Sequence, residues 1–192
     1  MKRHISKIIG LFAVLTLAAC TFTPHEVAMT AQAPMLTSGV GDGVVVGLRV
    51  IDDRDSKTVG QRGAGMAGAD ISASGLVSHV ERQSRDVLRN KGFTIADYND
   101  SSSNVKLTVS VRSFKFFIET GFFTGANNVS VAIKAEARKG MQDYQNSYSF
   151  DDEARMLVVP DGSGIDEMLN AALLDVLTQF AADSELSEFL AR

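Results

Sequence analysis

Val105-Lys106-Leu107-Thr108-Val109-Ser110-Val111-Arg112 alternates apolar and polar side chains without a break. Successive side chains of a strand point to opposite faces, so the pattern fits a strand with one buried and one wet face. Beyond it the apolar positions shift by one, to Phe114, Phe116 and Ile118. Such a change of phase within a strand is what a bulge produces, here near Ser113. Val129, Val131, Ile133, Ala135 and Ala137 resume the alternation, and Tyr144 to Glu153 supply a further strand.

Upstream, Val44-Val45-Val46-Gly47-Leu48-Arg49-Val50-Ile51 is a β-branched run of the kind found in a buried strand. Asp52 to Gly68 is polar and glycine-rich and reads as a loop. Asp70 is placed to cap a helix whose apolar positions recur at helical spacing from Ala73 through Leu76, Val77 and Val80 to Val87 and Leu88. Gly92 closes it, and Phe93-Thr94-Ile95-Ala96 is a short strand. Downstream, Ile165, Leu169, Ala172, Leu173, Val176 and Phe180 line one face of a second helix starting near Gly164, with a short amphipathic end at Glu185 to Leu190. The order β-α-β-β-β-β-α predicts an α+β two-layer sandwich, a mixed or antiparallel sheet with both helices on one face. This single domain occupies 43–192.

The start of the chain carries an address. Lys2, Arg3 and Lys7 precede an apolar stretch from Ile8 to Leu17, and Leu17-Ala18-Ala19-Cys20 comes next. A basic start, an apolar stretch and small residues at a cleavage point are the layout of a secretory signal. The stretch is shorter than the roughly 20 residues needed to span a bilayer. Leu-Ala-Ala-Cys in this position resembles the lipobox of bacterial lipoproteins. The resemblance implies that 1–19 is removed, that Cys20 is lipidated, and that Thr21 after it directs release to the outer membrane. Two or more acyl chains anchor stably where one is marginal. Cys20 is the only cysteine, so no internal disulfide forms. Loss of 1–19, with three basic and no acidic side chains, takes the formal charge from −4 to −7. That acidity speaks against nucleic acid as a partner. Residues 20–42 hold Pro24 and Pro34 and read as a flexible tether reaching about 25 Å as a random coil. An extended segment packed on the domain is the other reading.

Candidate chemistry is sparse. Three histidines, His4, His25 and His79, are scattered, and no metal or cofactor is expected. Gly63-Ala64-Gly65-Met66-Ala67-Gly68 matches a dinucleotide-binding pattern, but some eleven residues separate it from the preceding strand, where the glycines should follow at once. Asp52, Asp53, Arg54, Asp55 and Lys57 crowd the end of the first strand. Paired carboxylates there could serve a hydrolase, although no complementary cluster accompanies them and an ion-paired surface loop fits the pattern. His79 reads as a partly exposed helix residue, and Asp151-Asp152-Glu153 as an acidic rim of the sheet. Phe122 and Phe123, in the glycine-flanked run Gly121-Phe122-Phe123-Thr124-Gly125, either fold back on the sheet or form a docking patch. With Asp53 and Arg54 they are the candidate partner-binding residues.

Taken together, the chain resembles the YajG family of uncharacterised bacterial lipoproteins. The resemblance rests on the lipobox, Asp53-Arg54 after the first strand, and Leu88-Arg89-Asn90-Lys91-Gly92-Phe93 at the helix end. It rests also on the Val105 to Val111 and Val129 to Ala137 strands and the end Glu185-Leu186-Ser187-Glu188-Phe189-Leu190. The layout is similar to periplasmic domains of lipoproteins that assist envelope assembly, such as penicillin-binding-protein activators. The family carries no established catalytic residue. The resemblance and the residues together lead us to expect a non-enzymatic, outer-membrane, periplasm-facing lipoprotein. It would reach the membrane through the lipid on Cys20 and bind an envelope protein, or serve as an assembly subunit of a larger envelope complex.

Overall fold

The computed structural model describes residues 23–62, 68–103, 105–120, 125–156 and 160–192. Cys20, Phe122, Phe123 and all but the last glycine of the glycine-rich pattern therefore lie outside the described residues.

The alternating stretch forms β6 (Val105–Thr120), the middle strand of a five-stranded sheet. Beside it lie β2 (Val45–Asp52) on one side and β7 (Gly125–Lys139) on the other. The edges are β5 (Thr94–Asp97) and β8 (Gln142–Met156). β5 and β6 both run parallel to β2, whereas β6, β7 and β8 pair antiparallel. Register shifts between Val111 and Ser113, which puts the expected bulge at Arg112. Its effect is the one the change of phase demanded: Val105, Leu107, Val109 and Val111 are buried on the same side as Phe114 and Phe116.

α1 (Leu76–Asn90) leads into β5 and lays Leu76, Val80, Val87 and Leu88 on the sheet. It ends at Gly92, whose φ of +94° is left-handed backbone that a side chain would strain. α2 (Gly162–Ala182) packs beside α1 and buries Ile165, Leu169, Leu173, Val176 and Phe180. Phe180 meets Tyr148 of β8 edge-on, ring centroids 5.7 Å apart, a contact worth about 0.5–1.5 kcal/mol beyond its buried area. α3 (Ser184–Ala191) follows at once and buries Leu186 and Leu190 against β7 and β8. The α+β sandwich expected from the sequence is thus observed, with a third short helix added to the covered face.

Four expectations need correction. Asp52 to Gly68 is not wholly loop: Gly60–Arg62 forms β3, paired antiparallel with β4 (Ala69–Ser72). Asp70 caps no helix; it lies in β4 and accepts from Gln61 Nε2, and the helix begins at Leu76 after Gly75 without a side-chain cap. Ile71 and Ala73 are buried while Asp70 and Ser72 are exposed, a period of two that favours a strand. The described part of the tether is packed on the domain. His25–Glu26 forms β1, parallel to β4, and Val27 and Ala31 are buried in the core. Asn170 of α2 holds this segment from both directions. Its Oδ1 accepts from the amides of Thr30 and Ala31, and its Nδ2 donates to Ala28 O.

The same docking corrects His79, which is buried, not half-exposed. Its Nε2 lies 2.6 Å from Ala31 O, so that nitrogen carries the proton, and Nδ1 accepts from Arg82 Nη2. A side chain at the helix surface became interior because the amino-terminal segment folds across it.

Candidate binding face

The helices cover one face of the sheet. The other presents side chains of alternate parity: Arg49 from β2, Lys106 and Thr108 from β6, Glu136 and Arg138 from β7, Asp143 and Gln145 from β8. The bulge keeps Ser113, Lys115 and Phe117 on this side at the far end of β6. Two grooves run over this face.

The first has a volume of about 400 Å³ and is roofed at one side by the connection from β5 to β6. That connection crosses β2 at Gly47, where a Cβ would lie 2.7 Å from Ser103 Oγ, so no larger residue fits beneath it. The cations here are already engaged. The Arg49 guanidinium stacks 4.0 Å from the Tyr98 ring centroid, and its Nε donates to Thr108 Oγ1 at 2.8 Å. Lys106 Nζ donates to Asp100 O at 2.7 Å and to Ser103 Oγ. Arg138 pairs with Asp143 at 2.8 Å.

The second groove, of about 210 Å³, lies at the opposite end among Phe117, Asn128, Ser130 and Asp151 to Glu153. Phe117, Asn128 and Glu153 form one cross-strand row, and Lys115, Ser130 and Asp151 the next. Phe117 is 44 % exposed, an unusual state for so large an apolar ring. Asp151, Asp152 and Glu153 are all exposed and have no ion-pair partner among the described residues. Asp152 belongs by register to the covered side, opposite the buried Val129. Its exposure shows that the helical layer does not reach this part of β8. The Nδ2 atom of Asn128 is buried here without a partner among the described residues.

The first half of β8 is secured differently. The Asp183 carboxylate, between α2 and α3, accepts from Tyr148 OH at 2.6 Å, Tyr144 OH at 2.8 Å and Asn146 Nδ2 at 2.9 Å. It also caps α3 by accepting from Leu186 N. Burial alone would raise its pKa, but these donors outweigh burial and hold it below the usual carboxylate range. Conversely, burial and then the Asp183 carboxylate push the Tyr144 hydroxyl up to about 12 and that of Tyr148 higher still. Lys91 joins the cluster from the end of α1. Its Nζ donates to Ser187 Oγ and Asp183 O, and burial lowers its pKa despite the nearby carboxylate.

In the Asp52–Lys57 cluster the carboxylates of Asp52 and Asp53 are both engaged by cations. Arg54 is only 8 % exposed and grips Asp52 in two hydrogen bonds of 2.8 and 2.9 Å, with Lys57 Nζ 3.0 Å away. The Arg54 hydrogen bond, opposed by burial and aided by Lys57, holds the Asp52 carboxyl far below its usual range. A carboxylate so stabilised is a weak base, poorly suited to acid–base work near neutral pH. Asp53 faces outward and pairs with Arg112, the bulge residue. The structure thus separates the two neighbours, Arg54 turned inward and Asp53 on the surface. Among the described residues no group of three or more His, Cys, Asp or Glu could hold a metal ion. The Phe117–Glu153 row is hard to find in the sequence because it joins three strands. Its one-chain signal is the Phe116-Phe117 pair, of which a strand can bury only one on a given face.

Two solved structures share the architecture. A protein of the DUF330 family from Xanthomonas campestris superposes with a TM-score of 0.54 at 15 % identity, over 86 % of this chain and 95 % of that one. A putative neuraminyllactose-binding hemagglutinin homologue from Helicobacter pylori gives 0.53 at 11 % identity, over 86 % and 96 %. At such identities the likeness concerns the fold. No curated protein sequence matches the chain. A family model described as "Uncharacterized lipoprotein" matches residues 31–191, nearly the whole domain and in agreement with the YajG resemblance. The chain belongs to this family of uncharacterised lipoproteins.

Proposed function

We propose that this lipoprotein is a non-enzymatic binding module, anchored through Cys20 on the periplasmic side of the outer membrane and docking an envelope protein on the open face of its sheet. The observation that carries this reading is the asymmetry of the sheet. One face is covered over most of its area by three helices, and the other offers two grooves floored by charged and aromatic side chains. Exposed aromatic and apolar side chains beside charges are the usual marks of an interaction surface. The Asp52 carboxylate is neutralised by Arg54 and Lys57, which supports binding over hydrolysis. No helix among the described residues is long and apolar enough to cross a membrane, and the lipid on Cys20 would supply the attachment.

In-cell photo-crosslinking tests the docking face. A photoreactive residue at Arg49 or Phe117 should give a discrete adduct with one envelope protein, and one at Leu174, on the outer side of α2, should not. Adducts from Leu174 alone would transfer the docking role to the helical layer. Cys20→Ser should abolish palmitate labelling; labelling that persists would remove the anchor assignment.

A further inference from the structure

We infer that the second half of β8 receives an extended, arginine- or lysine-bearing segment of a partner protein, added as a sixth strand; this rests on the docking-face reading above. β8 is a terminal strand, with no strand beyond it among the described residues. Its outer side is not uniform. At Ser149 the carbonyl is already met by Gln179 Nε2 at 3.1 Å, and among the described residues no contact of this kind is found from Phe150 to Glu153. An open strand edge is a template for main-chain pairing.

The charges at that opening select the occupant. Asp151, Asp152 and Glu153 are consecutive, exposed and unpaired among the described residues, and the only cation in their cross-strand rows is Lys115, two strands away. A second copy added antiparallel through the same stretch would oppose carboxylate to carboxylate, which is destabilising. A basic strand reverses that sign. With strands about 4.8 Å apart, a long cationic side chain of the added strand lies against Asp151 and Glu153 and points over their row toward the groove. Phe117 at the far side of that groove offers an exposed ring to a cation or an apolar neighbour.

The test uses the full chain in detergent micelles and a synthetic ten-residue peptide of alternating Arg and Thr. Binding should slow amide exchange at Phe150 to Glu153 and weaken as salt is raised. N-methylation of alternate peptide amides should abolish binding when it blocks the edge facing β8 and spare it when it blocks the other edge. Combined Asp151→Lys, Asp152→Lys and Glu153→Lys should weaken binding by about tenfold or more, with exchange in the core of β7 unchanged as the control for folding. Phe117→Ala should weaken it less. Equal binding of an alternating Glu and Thr peptide, or indifference to N-methylation, would overturn strand addition. Absence of binding would mean that the acids only guard the edge. If crosslinks from Arg49 persist in that case, the docking face stands and this occupant falls; if they are absent too, both fall.

Discussion

The two halves of β8 belong to one strand yet meet the molecule on different terms. From Tyr144 to Ser149 every second side chain, and one edge carbonyl, is tied to α2 and α3 through Asp183 and Gln179. Phe150 still packs on the core, but beyond it the three carboxylates from Asp151 to Glu153 are exposed and have no ion-pair partner among the described residues. The lesson is that regular backbone pairing along the inner edge of a strand says little about what its outer edge is for. Here one half closes the fold, and the other is left available.

The largest test of that contrast is Asp183→Ala. It deletes three side-chain hydrogen bonds and the α3 cap and leaves the buried Tyr148 hydroxyl without its partner. We expect a loss of about 3 kcal/mol, read as a lowered urea midpoint. Amide exchange should quicken over Tyr144 to Ser149 and stay unchanged over Phe150 to Glu153. Equal quickening in both halves would break the comparison.

The pH profile approaches the same cluster from both sides. The folded-state pKa of Asp183 is depressed, so its contribution is full above the unfolded value of about 3.9 and is lost as pH falls through the folded value. Tyr144 is shifted the opposite way. Its contribution is full below the unfolded value of about 10 and is lost as pH rises through about 12. Urea midpoints measured across both ranges should fall at the two extremes, and the acid limb should be shallower in Asp183→Ala.

Gln179→Ala, which frees the Ser149 carbonyl, should cost about 1 kcal/mol and lengthen the open stretch of edge toward Ser149, visible as faster local exchange. The smallest effect is expected from Asp152→Ala. With no partner to lose among the described residues, the substitution should change stability by less than about 0.5 kcal/mol. A loss several times larger in urea unfolding would reveal an interaction that ties down the free half.

Legibility in the sequence followed the range of the interactions. The alternation from Val105 to Val111, the displaced Phe114 and Phe116, and Gly92 at the helix end reported strand, bulge and stop, because period and backbone conformation are local properties. Asp70 misled, since an acid before a helical run looks like a cap; only its pairing with β3 and β1 makes Ala69–Ser72 a strand. His79 and the segment from Val27 to Ala33 misled together. Neither stretch signals that Asn170, some 140 positions away, binds the segment down. The acidic triplet was visible as a rim, but its openness depends on where the helices stop.

The docked amino-terminal segment also acts as a ruler. With β1 fixed from His25, only four residues separate it from Cys20. That connection spans at most about 18 Å when fully extended, against about 25 Å for the coil-like tether of the whole segment. β1 pairs with β4, β4 with β3, and the carbonyl of the residue before β3, Val59, accepts from the amide of Phe116. β1 thus belongs to the same end of the domain as Phe117 and Glu153. If Cys20 carries the anchor, the acidic edge lies at the end of the domain turned toward the lipid, so access from the membrane side becomes a criterion for partners alongside charge.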